Sequence, residues 1–129
     1  MIEYRLKSAL ERITGLPTFP LLLPNPEREG VTYQRISDPS IDTGLVRTRL
    51  VEVRFQVTLY VIDDYDRIIE LDSAIWQEWR QVVQGDIEGY PVQYVRRAGI
   101  QQDKTLLTNN SIQYRYSRDY IIYFVEADT

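Results

Sequence analysis

Alternating apolar and polar side chains define one long segment in the middle of the chain. From Val51 to Val61 every second residue is apolar, and the residues between them are polar as far as Thr58. A repeat of two residues is the spacing of a β-strand with one buried face. We therefore predict a long strand that begins at Arg47, with one face on the core and the other facing water or a partner.

Apolar residues recur at helical spacing in residues 2–14 and again in residues 64–84. Gly15 follows the first segment and Gly85 the second, and glycine is common just past the end of a helix. The apolar stripe of the second segment is broad, which suits a helix that lies on a sheet. The pattern thus predicts two helices with these bounds.

The rest of the chain divides into short strands and connections. We predict further strands at 31–37, 89–99 and 111–127, and connections at 15–30 (proline-rich, laid over the core), 41–46 and 100–110. The resulting order is α-β-β-α-β-β. It predicts an α+β fold in which a mainly antiparallel sheet of four or more strands carries two helices on one face. At 129 residues, we expect one domain over residues 1–129.

An acidic cluster, Asp63, Asp64 and Asp66, stands where the long strand gives way to the second helix. Carboxylates so close together could bind Mg²⁺ or Ca²⁺, or take part in catalysis. The calcium-loop pattern of alternating acids, a central glycine and a late glutamate is absent, however. Acids at a helix start also cap free N–H groups and oppose the positive end of the helix dipole. We favour this capping role.

The composition excludes several kinds of chemistry. The chain has no histidine and no cysteine, which removes histidine-dependent nucleophiles, thiolate zinc sites and disulfides. We expect no cofactor and no metal. The net charge of −4 weighs against tight nucleic-acid binding. No apolar run approaches the roughly 18 residues of a membrane span, and the first residues lack a signal peptide's apolar core. We therefore expect a soluble intracellular protein.

Tyrosines and arginines alternate in "YQRIS" and "YRYSRDY". Proteins that bind single-stranded nucleic acid use such a pattern for stacking and phosphate contact. A half-buried sheet gives the same pattern, because Tyr and Arg keep a polar end in water while their apolar parts are covered. Both residues are also common at protein–protein interfaces. The acidic net charge favours the last two interpretations.

The combination of these segments is familiar. A short N-terminal helix, a proline-rich apolar segment, "VTYQRIS" and then "TRLVEVRFQVTLYVIDDYDRIIELDSAI" resemble the tail-completion, or tail-terminator, family of long-tailed bacteriophages and prophages. The corresponding residues are Tyr33–Ser37, Arg47–Tyr60 and Tyr65–Val83, so the resemblance covers most of the chain. Its motifs are structural and not catalytic.

The resemblance implies a non-enzymatic structural subunit of the virion tail and neck, assembled in the bacterial host cytoplasm. Copies would form a ring, expected to be a hexamer, on the last ring of the tail tube. The ring would stop tube polymerisation and join the tail to the head. The expected partners are further copies of the chain, the tail tube protein and the head–tail connector protein, with no membrane contact. DNA would pass through the ring without specific binding.

Within this hypothesis, exposure patterns suggest the contact residues. The subunit-interface candidates are Arg47, Arg49, Glu52, Arg54 and Gln56. The candidates for contact with the tube or the connector, in a predicted loop at 98–110, are Ile100, Gln101, Asp103, Lys104, Leu106 and Leu107. Residues 38–46 offer a second adaptable contact. Two alternatives stay open: a small intracellular binding or adaptor domain that uses the same sheet face, and a metal-dependent enzyme centred on the acidic cluster.

Overall fold

The computed structural model describes residues 1–43 and 46–126, with residues 40–43 and 46–48 described as backbone only. The elements are α1 (Ile2–Thr14), β1 (Thr18–Pro20), β2 (Gly30–Ser37), β3 (Ser40–Thr43), β4 (Val46–Ile62), α2 (Tyr65–Trp79), β5 (Val83–Ile87), β6 (Tyr90–Leu106) and β7 (Ile112–Val125). Within the described ranges, no helix is long and apolar enough to cross a membrane.

The fold is α+β, as predicted, but the sheet is mixed and larger than the sequence suggested. Its strands follow the order β1-β2-β4-β7-β6-β5, and β3 pairs separately with β4. β1 runs parallel to β2, whereas the other pairs are antiparallel. The predicted order α-β-β-α-β-β is wrong because it lacks β1, β3 and β5.

These three strands are short and lie in segments that were assigned to other structure. β1 is three residues of the proline-rich connection, and β3 occupies the predicted turn region. α2 ends at Trp79, with Arg80 as its C-cap, and is shorter than the predicted helix. The residues from Val83 onwards therefore form β5 instead. Gly85 is therefore a strand residue, and its assignment as the helix stop is wrong.

The predicted connection at 100–110 is also wrong for most of its length, because β6 continues to Leu106. Its pairing with β7 shifts between Arg97 and Ile100, where two residues of β6 lie opposite one residue of β7. Such a bulge keeps a strand paired across an irregular sequence. Because the apolar alternation fails at the bulge, the sequence pattern hides the second half of the strand.

The core lies between the helices and one face of the sheet. All the alternating apolar residues from Val51 to Val61 are buried, and they join one cluster with apolar residues of both helices. Trp79 of α2 packs edge-on against Tyr120 of β7, with ring centroids 4.9 Å apart. The alternation in the sequence thus correctly identified the buried face of β4.

Ion pairs fasten α1 to its neighbours at both ends. Arg12 Nη2 lies 2.7 Å from Glu78 of α2, and Arg12 Nε donates to Glu88 beyond β5 at 2.8 Å. Near the start of α1, Glu3 accepts from Arg35 of β2 at 2.9 Å. α1 thus contacts β1 and β2 near one border of the sheet and β5 at the other. β6 meets α2 where Arg97 lies over the Trp76 ring and where the Tyr65 hydroxyl donates to Gln102.

Candidate interaction surface

The acidic cluster does not converge on a common point. Asp64 is the N-cap of α2, and its Oδ1 accepts from the backbone N–H of Arg67 at 3.0 Å. The Asp63 carboxylate accepts from the backbone N–H of Ile112 at 2.7 Å and so ties this corner to β7. Asp66 lies exposed in the first helical turn. In the described part of the chain, no group of three or more acids has the arrangement of a metal site.

The side of the sheet away from the helices, here called the open face, is covered mainly by polar and charged side chains. Arg54 of β4 pairs with Asp119 of β7 at 2.9 Å. Further along, Arg115 of β7 makes two hydrogen bonds to Asp103 of β6, at 2.6 and 2.8 Å. Charges of opposite sign on adjacent strands stabilise a sheet face that has no apolar cover.

One apolar residue of the open face is nevertheless buried. Ile121 lies between Arg54 on one neighbouring strand and Arg96 on the other, and it is only 3% exposed. Long arginine side chains cover apolar surface with their methylene groups and keep their charge in water. Arg54 and Arg96 flank Ile121 in this way while their charged ends remain exposed to solvent.

Of the subunit-interface candidates that the structure describes in full, Glu52, Arg54 and Gln56 lie on this face. Glu52 contacts Arg96 at 3.7 Å and the Tyr123 hydroxyl at 3.4 Å, and Arg54 pairs with Asp119 as above. Gln56 lines a shallow polar depression with Thr58 and Ser117. Arg49 is exposed. The side chain of Arg47 lies outside the described residues.

The tube and connector candidates are mostly strand residues and point to both sides of β6. Gln101 and Asp103 pair with open-face residues of β7, whereas Ile100, Lys104 and Leu106 pair with residues of the helix-facing side. Leu107 follows the strand. Every residue from Ile100 to Leu106 is exposed. The structure therefore places all of these candidates except Leu107 on an exposed stretch of strand and not on a loop.

A second depression borders the open face where the proline-rich connection passes it. Its lining includes Leu22, Leu106 and Leu107 beside Tyr60 and Arg115. Leu22 is 73% exposed and Leu106 is 69% exposed. Tyr60 and Arg115 also line the polar depression around Gln56, so the two are continuous. A broad shallow surface of mixed polarity suits docking to another macromolecule better than enclosure of a small substrate.

One polar cluster is buried on the helix side, where sequence reasoning did not look for it. Asp72 of α2 accepts from the Tyr116 hydroxyl at 3.0 Å, and Arg118 Nη2 lies 3.3 Å from the same carboxylate. Burial, and then the nearby Asp72 charge, raise the pKa of Tyr116. The signal that could have revealed the cluster is that Asp72 lies on the apolar stripe of α2, beside Ile68 and Ile75.

Comparisons with known proteins add little about function. No protein-family model matches the chain, and no curated protein matches it. Among the solved structures that are similar to this chain, one whose name states no activity is similar over 98% of this chain and 93% of its own. It has 16% sequence identity and a TM-score of 0.47. The class of protein established so far is therefore an α+β domain with one helix-covered and one uncovered sheet face.

Proposed function

We propose that this protein is a phage or prophage tail terminator, a structural subunit that assembles into a ring on the tail tube, ends tube polymerisation and forms the joint to the head connector. The proposal begins from the sequence resemblance described above. The observation that carries it further is the exposure of residues 100–106 of β6 together with the open face, because a subunit that functions inside an assembly needs extensive surface for docking.

The charges of the open face support a docking role. Its ion pairs join Arg54 to Asp119 and Arg115 to Asp103, which reduces the side-chain freedom that docking would otherwise remove. Ordered cations of this kind contribute to the specificity and speed of protein association more than to its affinity. The same face presents carboxylates at Glu52 and Asp103, and a partner with charges of both signs would match it.

The acidic balance fits a ring through which DNA passes. The net charge of −4 disfavours adhesion of the phosphate backbone, since non-specific DNA binding depends on lysine and arginine contacts that release counterions. Most arginines of the open face are also neutralised by the carboxylates beside them. Passage without binding is therefore the expected behaviour of DNA at this surface.

The decisive experiment adds the purified protein to polymerising tail tubes of the phage whose genome encodes it. We expect tubes that stop at a uniform length and carry an extra ring at one end in electron micrographs. Light scattering of the protein alone and with tube protein measures ring formation. A protein that remains monomeric and leaves tube length unchanged would contradict the proposal and favour the adaptor alternative.

A matched pair of variants separates the docking surface from general instability. Gln56→Arg places a bulky cation in the polar depression of the open face, whereas Gln77→Arg places the same group on the exposed side of α2. Both variants should remain folded. We expect Gln56→Arg to reduce tube capping at least about tenfold, the result of a loss of roughly 1.4 kcal/mol or more in docking, and Gln77→Arg to have no effect.

A further inference from the structure

One side of β6 has no partner over most of its length. β7 pairs with one side from Tyr94 to Leu106, but β5 pairs with the opposite side only as far as Tyr94. In the described part of the chain, no strand pairs with the outer side of residues 95–106, which we call the β6 edge. Backbone N–H and C=O groups along such an edge are a template for another strand.

The opposite border of the sheet has a second free edge. β1 pairs with β2 only from Val31 to Tyr33, so β2 is unpaired on that side from Gln34 to Ser37. β3 continues the same border along β4, and no described strand pairs with its outer side. We call residues 34–43 the β2–β3 edge. Within this edge Pro39 provides no N–H group, so pairing along it would be interrupted there.

We propose that the β6 edge of one copy pairs antiparallel with the β2–β3 edge of the next, so that successive copies extend one continuous sheet. This contact describes how neighbouring copies would bind one another in the proposed ring. Only the closure of the row of copies into a ring rests on the proposed function. It reassigns Ile100 to Leu106 from tube or connector contact to subunit contact, because these residues belong to a strand.

The direction of pairing follows from the topology of one subunit. β2 is antiparallel to β4, β4 to β7, and β7 to β6. Three reversals make β2 antiparallel to β6. A second copy that is placed beside the first without being turned over therefore presents its β2–β3 edge antiparallel to the β6 edge. Each copy would thus contact its two neighbours through two different surfaces, the β6 edge and the β2–β3 edge. Contacts of this kind between identical copies produce a closed ring or a helical row.

The two edges have similar lengths, and each is bounded at one end by a short strand. β5 limits the β6 edge at Val95, and β1 limits the β2–β3 edge at Gln34. Opposed residues of one sheet lie on the same face, so Gln34, an open-face residue of β2, must lie opposite an open-face residue of β6. An antiparallel pairing that reaches the limit of the β6 edge at Val95 then places Gln34 opposite Asp103. At roughly 3.3 Å per residue, the contact is about 30 Å long.

Charge also favours the antiparallel direction. It places Arg35 opposite Gln102, which lies on the same face of the sheet, and keeps Arg35 far from Arg97. The parallel direction would place Arg35 opposite Arg97, and like charges on directly opposed residues destabilise a strand pair. The exposed side chains of Ile36 (46%) and Ile100 (44%) would supply apolar contact in the same region.

The chain contains no cysteine, so introduced cysteines test the register directly. Gln34→Cys and Asp103→Cys each replace an exposed residue and would be opposed in the proposed contact. A mixture of these two variants, oxidised with and without tube protein, should give disulfide-linked dimers. The double variant should give a ladder of longer products. Far-UV circular dichroism and thermal unfolding verify that each variant is folded.

Three other results would overturn the inference. Links in the Asp103→Cys variant alone would indicate a two-fold contact between β6 edges. Links between Gln34→Cys and Arg96→Cys would indicate the parallel direction. Folded variants that form no link under either condition would exclude the contact. Head-to-tail links without an effect on tube length would support the edge contact and contradict the tail-terminator function. Tube capping without such links would support the tail-terminator function and contradict the edge contact.

Discussion

Arg118 of β7 and Asp72 of α2 form an ion pair at 3.3 Å between the helix and the sheet, where their side chains are only 14% and 9% exposed. The pair connects α2 to the sheet in a region otherwise packed by apolar and aromatic groups. Removal of one partner from a buried pair leaves an uncompensated charge, whereas apolar replacement of both is often tolerated.

We therefore expect Asp72→Ala to destabilise the fold by about 3–5 kcal/mol, and the double variant Asp72→Leu with Arg118→Met to recover most of that loss. Urea unfolding followed by tryptophan fluorescence measures both. Asp66→Ala is the control, because Asp66 lies exposed on the same helix. This variant should lower the free energy of unfolding no more than an ordinary surface substitution does. A double variant no more stable than Asp72→Ala would contradict the prediction.

Tyr120 offers a different test of the same region, because its hydroxyl is fully buried and has no hydrogen-bond partner among the described residues. An unsatisfied buried hydroxyl costs roughly 1–3 kcal/mol. We expect Tyr120→Phe to be neutral or stabilising at pH 7 in thermal and urea unfolding. The exposed Tyr94 provides the matched control, Tyr94→Phe, which should change stability little. A clear destabilisation by Tyr120→Phe would show that the hydroxyl binds something in solution.

The same tyrosine predicts a loss of stability at alkaline pH. Burial raises the pKa of Tyr120 well above its usual value near 10. Below pH 10 the phenol is neutral in both the folded and the unfolded chain, so its contribution to stability does not change. Above pH 10 the unfolded chain releases the proton and the folded chain does not, so stability falls as the pH rises. Urea unfolding between pH 8 and 11 should show a smaller decline for Tyr120→Phe.

The acidic cluster should behave as structure and not as a metal site. Asp64→Ala removes an N-cap bond and is expected to cost about 0.5–2 kcal/mol, while Asp64→Asn should cost much less. Replacement of Asp63, Asp64 and Asp66 together by Asn should leave assembly intact. Melting temperatures with and without Mg²⁺ or Ca²⁺ provide the measurement. A rise on addition of either ion that disappears in the triple variant would favour the enzyme alternative.

The parts of this structure that could be predicted from the sequence are those with a long, regular repeat. The alternation from Val51 to Val61 identified the buried face of β4, and the stripe of α1 identified a helix with nearly the observed bounds. Short strands have no such repeat. β1 and β3 exist because β2 and β4 provide backbone partners, which no local pattern reveals.

The candidate surface was predicted less well, for a related physical reason. Glu52, Arg54 and Gln56 were placed on the exposed side of β4 because the period of two extends that far. Residues 100–106 were assigned to a loop because the bulge after Arg97 changes the side on which each residue of β6 falls. The buried position of Ile121 on the open face depends on two arginines from other strands, and their proximity is a property of the fold.

Variants of the ion pair between Arg54 and Asp119 can separate an effect on the stability of the fold from an effect on docking. Arg54→Glu places two acidic side chains next to each other on adjacent strands. We expect the free energy of unfolding to fall by about 1 kcal/mol, as for a like-charge pair on a sheet. Adding Asp119→Arg restores opposite charges inside the subunit but reverses what a partner meets. The double variant should therefore regain stability in urea unfolding while tube capping stays impaired. If capping returned together with stability, Arg54 would serve only the fold, and the open face at this position would have no part in docking.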